Sequence, residues 1–230
     1  VFVKICGTTN EDDALLAVAM GADAVGFVFA PSPRQMSLDR VRDIVRRLPS
    51  DVLSVGVFRN EMASRVVRMT SDARLGAAQL HGHESPEDTA WVVARVPVTI
   101  KVFPPGHEGL RHLGDYGADA VMIDNERPGS GEVFDWSLAE GAPLAGHRLI
   151  LAGGLDADNV AGAIRRVRPW GVDVASGVES RPGRKDPARL RAFIEAAKAP
   201  RNISADDRPT AGAEPRLSAD AGPYDWEQDL

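Results

Sequence analysis

The sequence predicts an α/β protein built as a (β/α)8 barrel, and three observations carry that expectation. Eight short apolar runs recur along residues 1–199, each closed by a turn rich in Gly, Pro, Asn or Asp and followed by a helix-period segment. Most of these runs are continuous rather than alternating, as in parallel strands covered on both faces. Eight strand–helix units in about 200 residues suit this barrel, whose typical length is ~250. A doubly wound open sheet would have fewer strands and a G-x-G-x-x-G first turn, and Gly7-Thr8-Thr9 is not that turn.

The strands are expected at Val1–Ile5, Ala24–Phe29, Leu53–Phe58, Ala77–Leu80, Thr99–Phe103, Ala120–Ile123, Leu149–Leu151 and Val172–Ala175. The first helix follows Asn10, an N-cap type of residue, and runs through Glu11-Asp12-Asp13 to Met20, with Gly21 as its stop. Further helices are expected over Leu38–Leu48, Met62–Ser71, Pro86–Ala94, Gly109–Tyr116, Asp158–Val167 and Pro187–Lys198. The unit after the sixth strand offers only a short helix near Asp135–Glu140. Residues 200–230 differ from the rest. They carry Asp206, Asp207, Glu214, Asp220, Asp225, Glu227 and Asp229 against three arginines, and are rich in Ala, Pro and Gly. This composition predicts an acidic, disordered C-terminal tail outside a 1–199 catalytic barrel, with Tyr224 and Trp226 as the residues that would dock if it touched anything.

The net charge is −6, which gives no general nucleic-acid surface. One cysteine rules out an internal disulfide, and no Cys/His cluster has zinc spacing. A reducing, cytoplasmic setting is expected. No apolar run is long enough for a membrane span, and no signal peptide is visible.

Candidate chemistry lies where strands hand over to turns, because ligands of such barrels bind at the carboxyl ends of the strands. Cys6 closes the first strand and Asp124 the sixth. A thiolate and a protonated carboxyl on opposite sides of one mouth can serve as base and acid for proton transfer at carbon. Gly153-Gly154 follows the seventh strand and Ser176-Gly177 the eighth, where barrels often hold a phosphate on backbone N–H groups. Arg34, in the loop after the second strand, is either a solvated arginine or a fork for a carboxylate. His81 follows the fourth strand and either bonds a polar ligand or caps a turn. Strand alternation puts Lys4 on the face of Cys6, two residues deeper and roughly 6–7 Å away. Asp173 interrupts the eighth strand, which neighbours the first when a barrel closes. If both face inward they must pair, and Lys4 would favour the Cys6 thiolate; otherwise Lys4 snorkels outward between helices.

Together these residues resemble the phosphoribosylanthranilate isomerase family. The motifs are Val3-Lys4-Ile5-Cys6-Gly7, Pro31-Ser32-Pro33-Arg34, Gly56-Val57-Phe58 and Gln79-Leu80-His81-Gly82. They continue with Asp124, Gly129-Ser130-Gly131, Phe134-Asp135-Trp136 and Ala152-Gly153-Gly154-Leu155, and end with Val172 to Glu179 and Pro182-Gly183-Arg184-Lys185-Asp186. Glu132, Ala175 and the acidic tail depart from the family pattern. The resemblance covers about residues 1–198 and implies a TIM barrel. It implies Cys6 as general base, Asp124 as general acid, Arg34 on the anthranilate carboxylate, and Gly153, Gly154, Ser176 and Gly177 as phosphate cradle. The implied reaction is the Amadori rearrangement of N-(5-phosphoribosyl)anthranilate in tryptophan biosynthesis, without metal or organic cofactor. The implied partner is that phosphosugar, with no nucleic acid or membrane, and the tail offers a contact for another tryptophan-pathway enzyme. Two other readings stay open: a bifunctional histidine/tryptophan phosphoribosyl isomerase, and a non-catalytic barrel that binds phosphate ligands.

Overall fold

A computed structural model describes residues 1–125 and 146–199. The expected Asp135–Glu140 helix, the Gly129–Gly131 and Phe134–Trp136 motifs, Glu132 and the 200–230 tail with Tyr224 and Trp226 lie outside the described residues.

Eight parallel strands close into a barrel: β1 (Phe2–Ile5), β2 (Ala24–Val28), β3 (Leu53–Phe58), β4 (Ala77–Leu80), β5 (Val98–Phe103), β6 (Ala120–Ile123), β7 (Arg148–Leu151) and β8 (Gly171–Val174). Closure is made by β1 against β8, with Phe2 opposite Gly171 and Lys4 opposite Asp173. Around it lie α1 (Glu11–Ala19), α2 (Leu38–Val45), α3 (Ala63–Asp72), α4 (Pro86–Val93), α5 (Leu113–Tyr116), α6 (Val160–Val167) and α7 (Pro187–Lys198). A small antiparallel hairpin, β9 (Glu179–Arg181) and β10 (Arg184–Lys185), sits between β8 and α7.

The strands are buried from both sides because their side chains alternate between two apolar layers. Val3, Ile5, Val25, Phe27, Val121, Ile123, Val172 and Val174 face the helices, packed with Ala14, Ala17, Leu190 and Phe193. Phe2, Ala24, Val55, Ala77, Ile100, Met122 and Ile150 form the second layer, inside the barrel. Phe2 stacks on Trp170 with ring centroids 4.5 Å apart, at the end opposite the strand termini that carry Cys6 and Asp124.

Each barrel strand begins and ends within a residue of the sequence expectation, the β9–β10 hairpin was not expected, and several helices are shorter. α2 stops at Val45 because Pro49 lies ahead, and the chain tightens through Arg47 N–H to Ile44 and Leu48 N–H to Val45. The segment expected as one helix over Gly109–Tyr116 is a 3-10 turn, Glu108–Arg111, followed by α5, because His112 leaves helical geometry at φ −129°. α6 begins at Val160, since the Asp156 carboxylate accepts the N–H groups of Asp158 and Asn159 and holds them as a turn.

Helix caps supply the local logic elsewhere. Asn10 accepts from the Asp13 N–H at the start of α1, and Ser85 from the Asp88 N–H at the start of α4. Asp186 accepts from both Ala188 and Arg189 N–H groups at the start of α7, with Pro187 in the first turn. Asp186→Ala is expected to cost about 1 kcal/mol of stability. A urea denaturation midpoint unchanged by that substitution would show that the cap contributes nothing.

Candidate active site

Cys6 is the first residue past β1, and alternation turns its side chain inward above Lys4. Its N–H donates to the Val174 carbonyl at 2.8 Å, so the pairing of β1 with β8 continues through it. The side chain is 7% exposed. Below it Lys4, fully buried, donates to Asp173 Oδ1 at 2.7 Å. Both side chains therefore face inward, and the outward-snorkelling arrangement does not occur. The pair is accommodated because β2 has Gly26 opposite: a Cβ there would lie 3.0 Å from Cys6 Sγ and 3.1 Å from Lys4 Nζ.

Burial acts on all three groups toward their neutral forms. For Lys4 the Asp173 carboxylate and the Cys6 sulfur outweigh burial and hold the amine above its ordinary value, so it stays an ammonium. Burial pushes Asp173 above the usual carboxylate range, and Lys4 at 2.7 Å pulls it part of the way back. Burial likewise pushes the Cys6 thiol up, and Lys4 and Lys185 pull it part of the way back.

Asp124 follows β6 on the same mouth, and its N–H donates to the Phe103 carbonyl at 3.1 Å. One carboxylate oxygen accepts the Asn125 N–H at 2.8 Å, and the other lies 3.3 Å from His81 Nε2. His81 Nδ1 is 3.2 Å from the side-chain nitrogen of buried Gln79. With that nitrogen donating, the ring proton sits on Nε2 and points at Asp124. His81 thus contacts the expected acid. Beside them opens a cavity of about 400 Å³ whose walls include Lys101, Phe103, His107 and Tyr116. Lys101 is neutralised by Glu84 at 2.6 Å.

Arg34 reaches the mouth, but its fork grips a carboxylate of this chain. Nε donates to Glu179 Oε1 at 2.9 Å and Nη2 to Oε2 at 2.6 Å. Burial would raise Glu179, but Arg34 and Lys185 hold it below the ordinary range. The pair uses Nε and Nη2 of the guanidinium. Arg34 comes this close because Gly7 has no side chain: a Cβ there would lie 2.5 Å from Arg34 Cδ, and its φ is +70°.

The two glycine turns pack on each other. Gly153 and Gly154 have φ of +87° and +69°. Ser176 opens a 3-10 turn over Ser176–Val178, and a Cβ on Gly177 would fall 2.0 Å from the Leu155 carbonyl oxygen. The N–H groups of Gly154, Ser176 and Gly177 donate to no acceptor among the described residues. That is the donor set an anion needs.

Sequence reasoning missed roles for Gly26, Gln79, Glu179 and Lys185. Glu179 and Lys185 stood inside quoted motifs, yet their partners lie 145 and 179 residues away. Gly26→Ala would crowd the thiol and the ammonium by a few tenths of an ångström. It is expected to lower stability by roughly 1–3 kcal/mol, read from a melting curve. A variant as stable as the parent would mean that the Lys4 and Cys6 side chains repack freely.

The family model described as N-(5'phosphoribosyl)anthranilate (PRA) isomerase matches residues 3–196. The N-(5'-phosphoribosyl)anthranilate isomerase of Pelobacter propionicus is 46% identical over 208 residues, covering 88% of this chain and 98% of that protein. The crystal structure of phosphoribosyl anthranilate isomerase from Thermotoga maritima superposes with a TM-score of 0.80 at 42% identity, over 86% of this chain and 98% of that one. A phosphoribosyl anthranilate isomerase in complex with reduced 1-(o-carboxyphenylamino)-1-deoxyribulose 5-phosphate gives 0.74 at 41% identity, over 86% and 98% of the two chains. On a match that spans the barrel from end to end, the chain belongs to the N-(5'-phosphoribosyl)anthranilate isomerase family.

Proposed function

We propose that the chain catalyses the Amadori rearrangement of N-(5'-phosphoribosyl)anthranilate to 1-(2-carboxyphenylamino)-1-deoxyribulose 5-phosphate, a step of tryptophan biosynthesis. The observation that carries this reading is the opposed pair at the mouth, a lone thiol over a buried ammonium on β1 and a carboxyl at the end of β6.

Asp124, carrying its proton, gives it to the furanose ring oxygen. The bond from that oxygen to the anomeric carbon breaks, and the nitrogen lone pair forms an iminium. The carboxylate left behind is met by the Asn125 N–H and the His81 Nε2–H. The Cys6 thiolate takes the proton from the adjacent sugar carbon, and the electron pair runs into the iminium as an enolamine. Tautomerisation gives the amino ketone. The iminium is the electron sink, so no metal or organic cofactor enters. The Gly153-Gly154 and Ser176-Gly177 turns take the phosphate, and the remaining end of the Arg34 fork takes the anthranilate carboxylate. No helix among the described residues is long and apolar enough to cross a membrane. The bifunctional histidine/tryptophan reading gains no support here, because that enzyme is expected to use two aspartates and Cys6 stands in place of the first.

Turnover of phosphoribosylanthranilate, followed by the fluorescence of the anthranilate group, tests the assignment. Cys6→Ala and Asp124→Asn are each expected to lower kcat by ~10²–10⁴-fold while the melting temperature holds. A near-normal kcat in Cys6→Ala would remove the thiol from the reaction. The pH dependence follows from burial of the thiol. Its folded pKa lies above the ordinary ~8.5, so the active thiolate is a minor species at pH 7 and grows as pH rises. Iodoacetamide alkylation of Cys6, which reads the thiolate without the acid, is therefore expected to speed up from pH 7 toward 9. A flat profile across that range would mean that the base ionises well below its ordinary value.

A further inference from the structure

Lys185 is a buried cation that the reaction as written does not use. It lies on β10, 3% exposed, at the closing seam of the barrel. Its ammonium donates to the Cys6 carbonyl at 2.5 Å, the Ala175 carbonyl at 3.1 Å and Glu179 Oε1 at 3.2 Å. Its three protons thus have three oxygen acceptors. Its own N–H donates to Asp13 Oδ2 at 2.9 Å, which fastens the hairpin to the first turn of α1. The hairpin is held a second time by Thr9, whose hydroxyl donates to the Gly183 carbonyl at 2.5 Å.

We propose that Lys185 is the positioning residue of the site: it fixes the backbone of Cys6 against the end of β8 and, through Glu179, fixes Arg34 at the same seam. The base and the carboxylate-binding arm come from different loops, after β1 and after β2. One ammonium gives them a common anchor. Without it the Cys6 carbonyl loses its buried donor, and Glu179 is left to Arg34 and the Gly183 N–H. Lys185 also places a positive charge beside the thiolate. The charged groups facing Cys6 are Lys4 on β1, Asp173 on β8, Lys185 on β10 and Arg34 in the loop after β2. Those facing Lys185 are Glu179 on β9, Asp13 on α1, Cys6 and Arg34. Of these, Lys185 alone touches the backbone of Cys6 and the partner of Arg34 together.

The proposal rests on Cys6 as the base, and its first readout does not need the substrate. Cys6 is the only cysteine in the chain, so alkylation by iodoacetamide reports on it alone. In Lys185→Met the thiolate loses a neighbouring cation, and alkylation at pH 7 should slow about tenfold and converge with the parent at high pH. With phosphoribosylanthranilate, kcat should fall and KM rise together. Should Lys185→Met fail to fold, Lys185→Met with Glu179→Gln removes both opposite buried charges and should show the same slowing. A melting temperature that falls while alkylation at pH 7 is unchanged or faster, and kcat/KM per folded molecule stays within about twofold, overturns the proposal. Slowed alkylation in a protein whose parent does not turn over phosphoribosylanthranilate would support the positioning role and sink the assigned reaction instead.

Discussion

An ammonium sealed inside a closed barrel sets the terms for everything around it. Lys4 has no access to water, so its charge must be answered by protein. Asp173 answers it from the neighbouring strand, in register. That requirement fixes β1 against β8, keeps Gly26 without a side chain, and puts a positive charge directly under the only thiol. A pair of well-packed apolar residues would often be no less stable in such a place. What it would not do is offer a thiolate a partner, so the pair is explained better by chemistry than by stability.

The same economy of charge runs around the mouth. Lys101 is matched by Glu84, and Lys185 and Arg34 share Glu179. The buried cations of the described residues are thus largely spent on carboxylates of the chain itself. Under the proposed function, an incoming phosphate would be left to neutral backbone N–H groups of the Gly153-Gly154 and Ser176-Gly177 turns. Such donors hold an anion by geometry, and the glycines let the backbone come near enough to do it.

Much of this was legible in the sequence because two periodicities are strict. Apolar runs bounded by turn residues gave every barrel strand but not the β9–β10 hairpin, and alternation along β1 turned Cys6 and Lys4 to one side while closure supplied Asp173. Helix ends were less legible, since the Asp156 turn and the break at His112 depend on side-chain and backbone choices that apolar spacing does not encode. The least legible residues were Glu179 and Lys185. Each stands in a motif that assigns it no role, and each finds one only when a hairpin from the end of the barrel folds over the loops after β1 and β2. Arg34 was open between a solvated side chain and a carboxylate fork, and it forks onto Glu179 of its own chain. His81 was seen as a ligand or cap residue, and it stands against Asp124 with Gln79 behind it.

The anchor of Cys6 by Lys185 has a consequence in time as well as in space. The two residues are 179 positions apart, and β1 finds its second neighbour only when β8 exists. At ~5–20 residues per second a ribosome needs about 10–40 s to span that interval. Throughout it the first strand waits with one edge unpaired, and the thiol waits without its carboxylate–ammonium frame. The nascent chain therefore carries a free strand edge, the kind of surface that chaperones and neighbouring chains can engage, until its last barrel strand emerges.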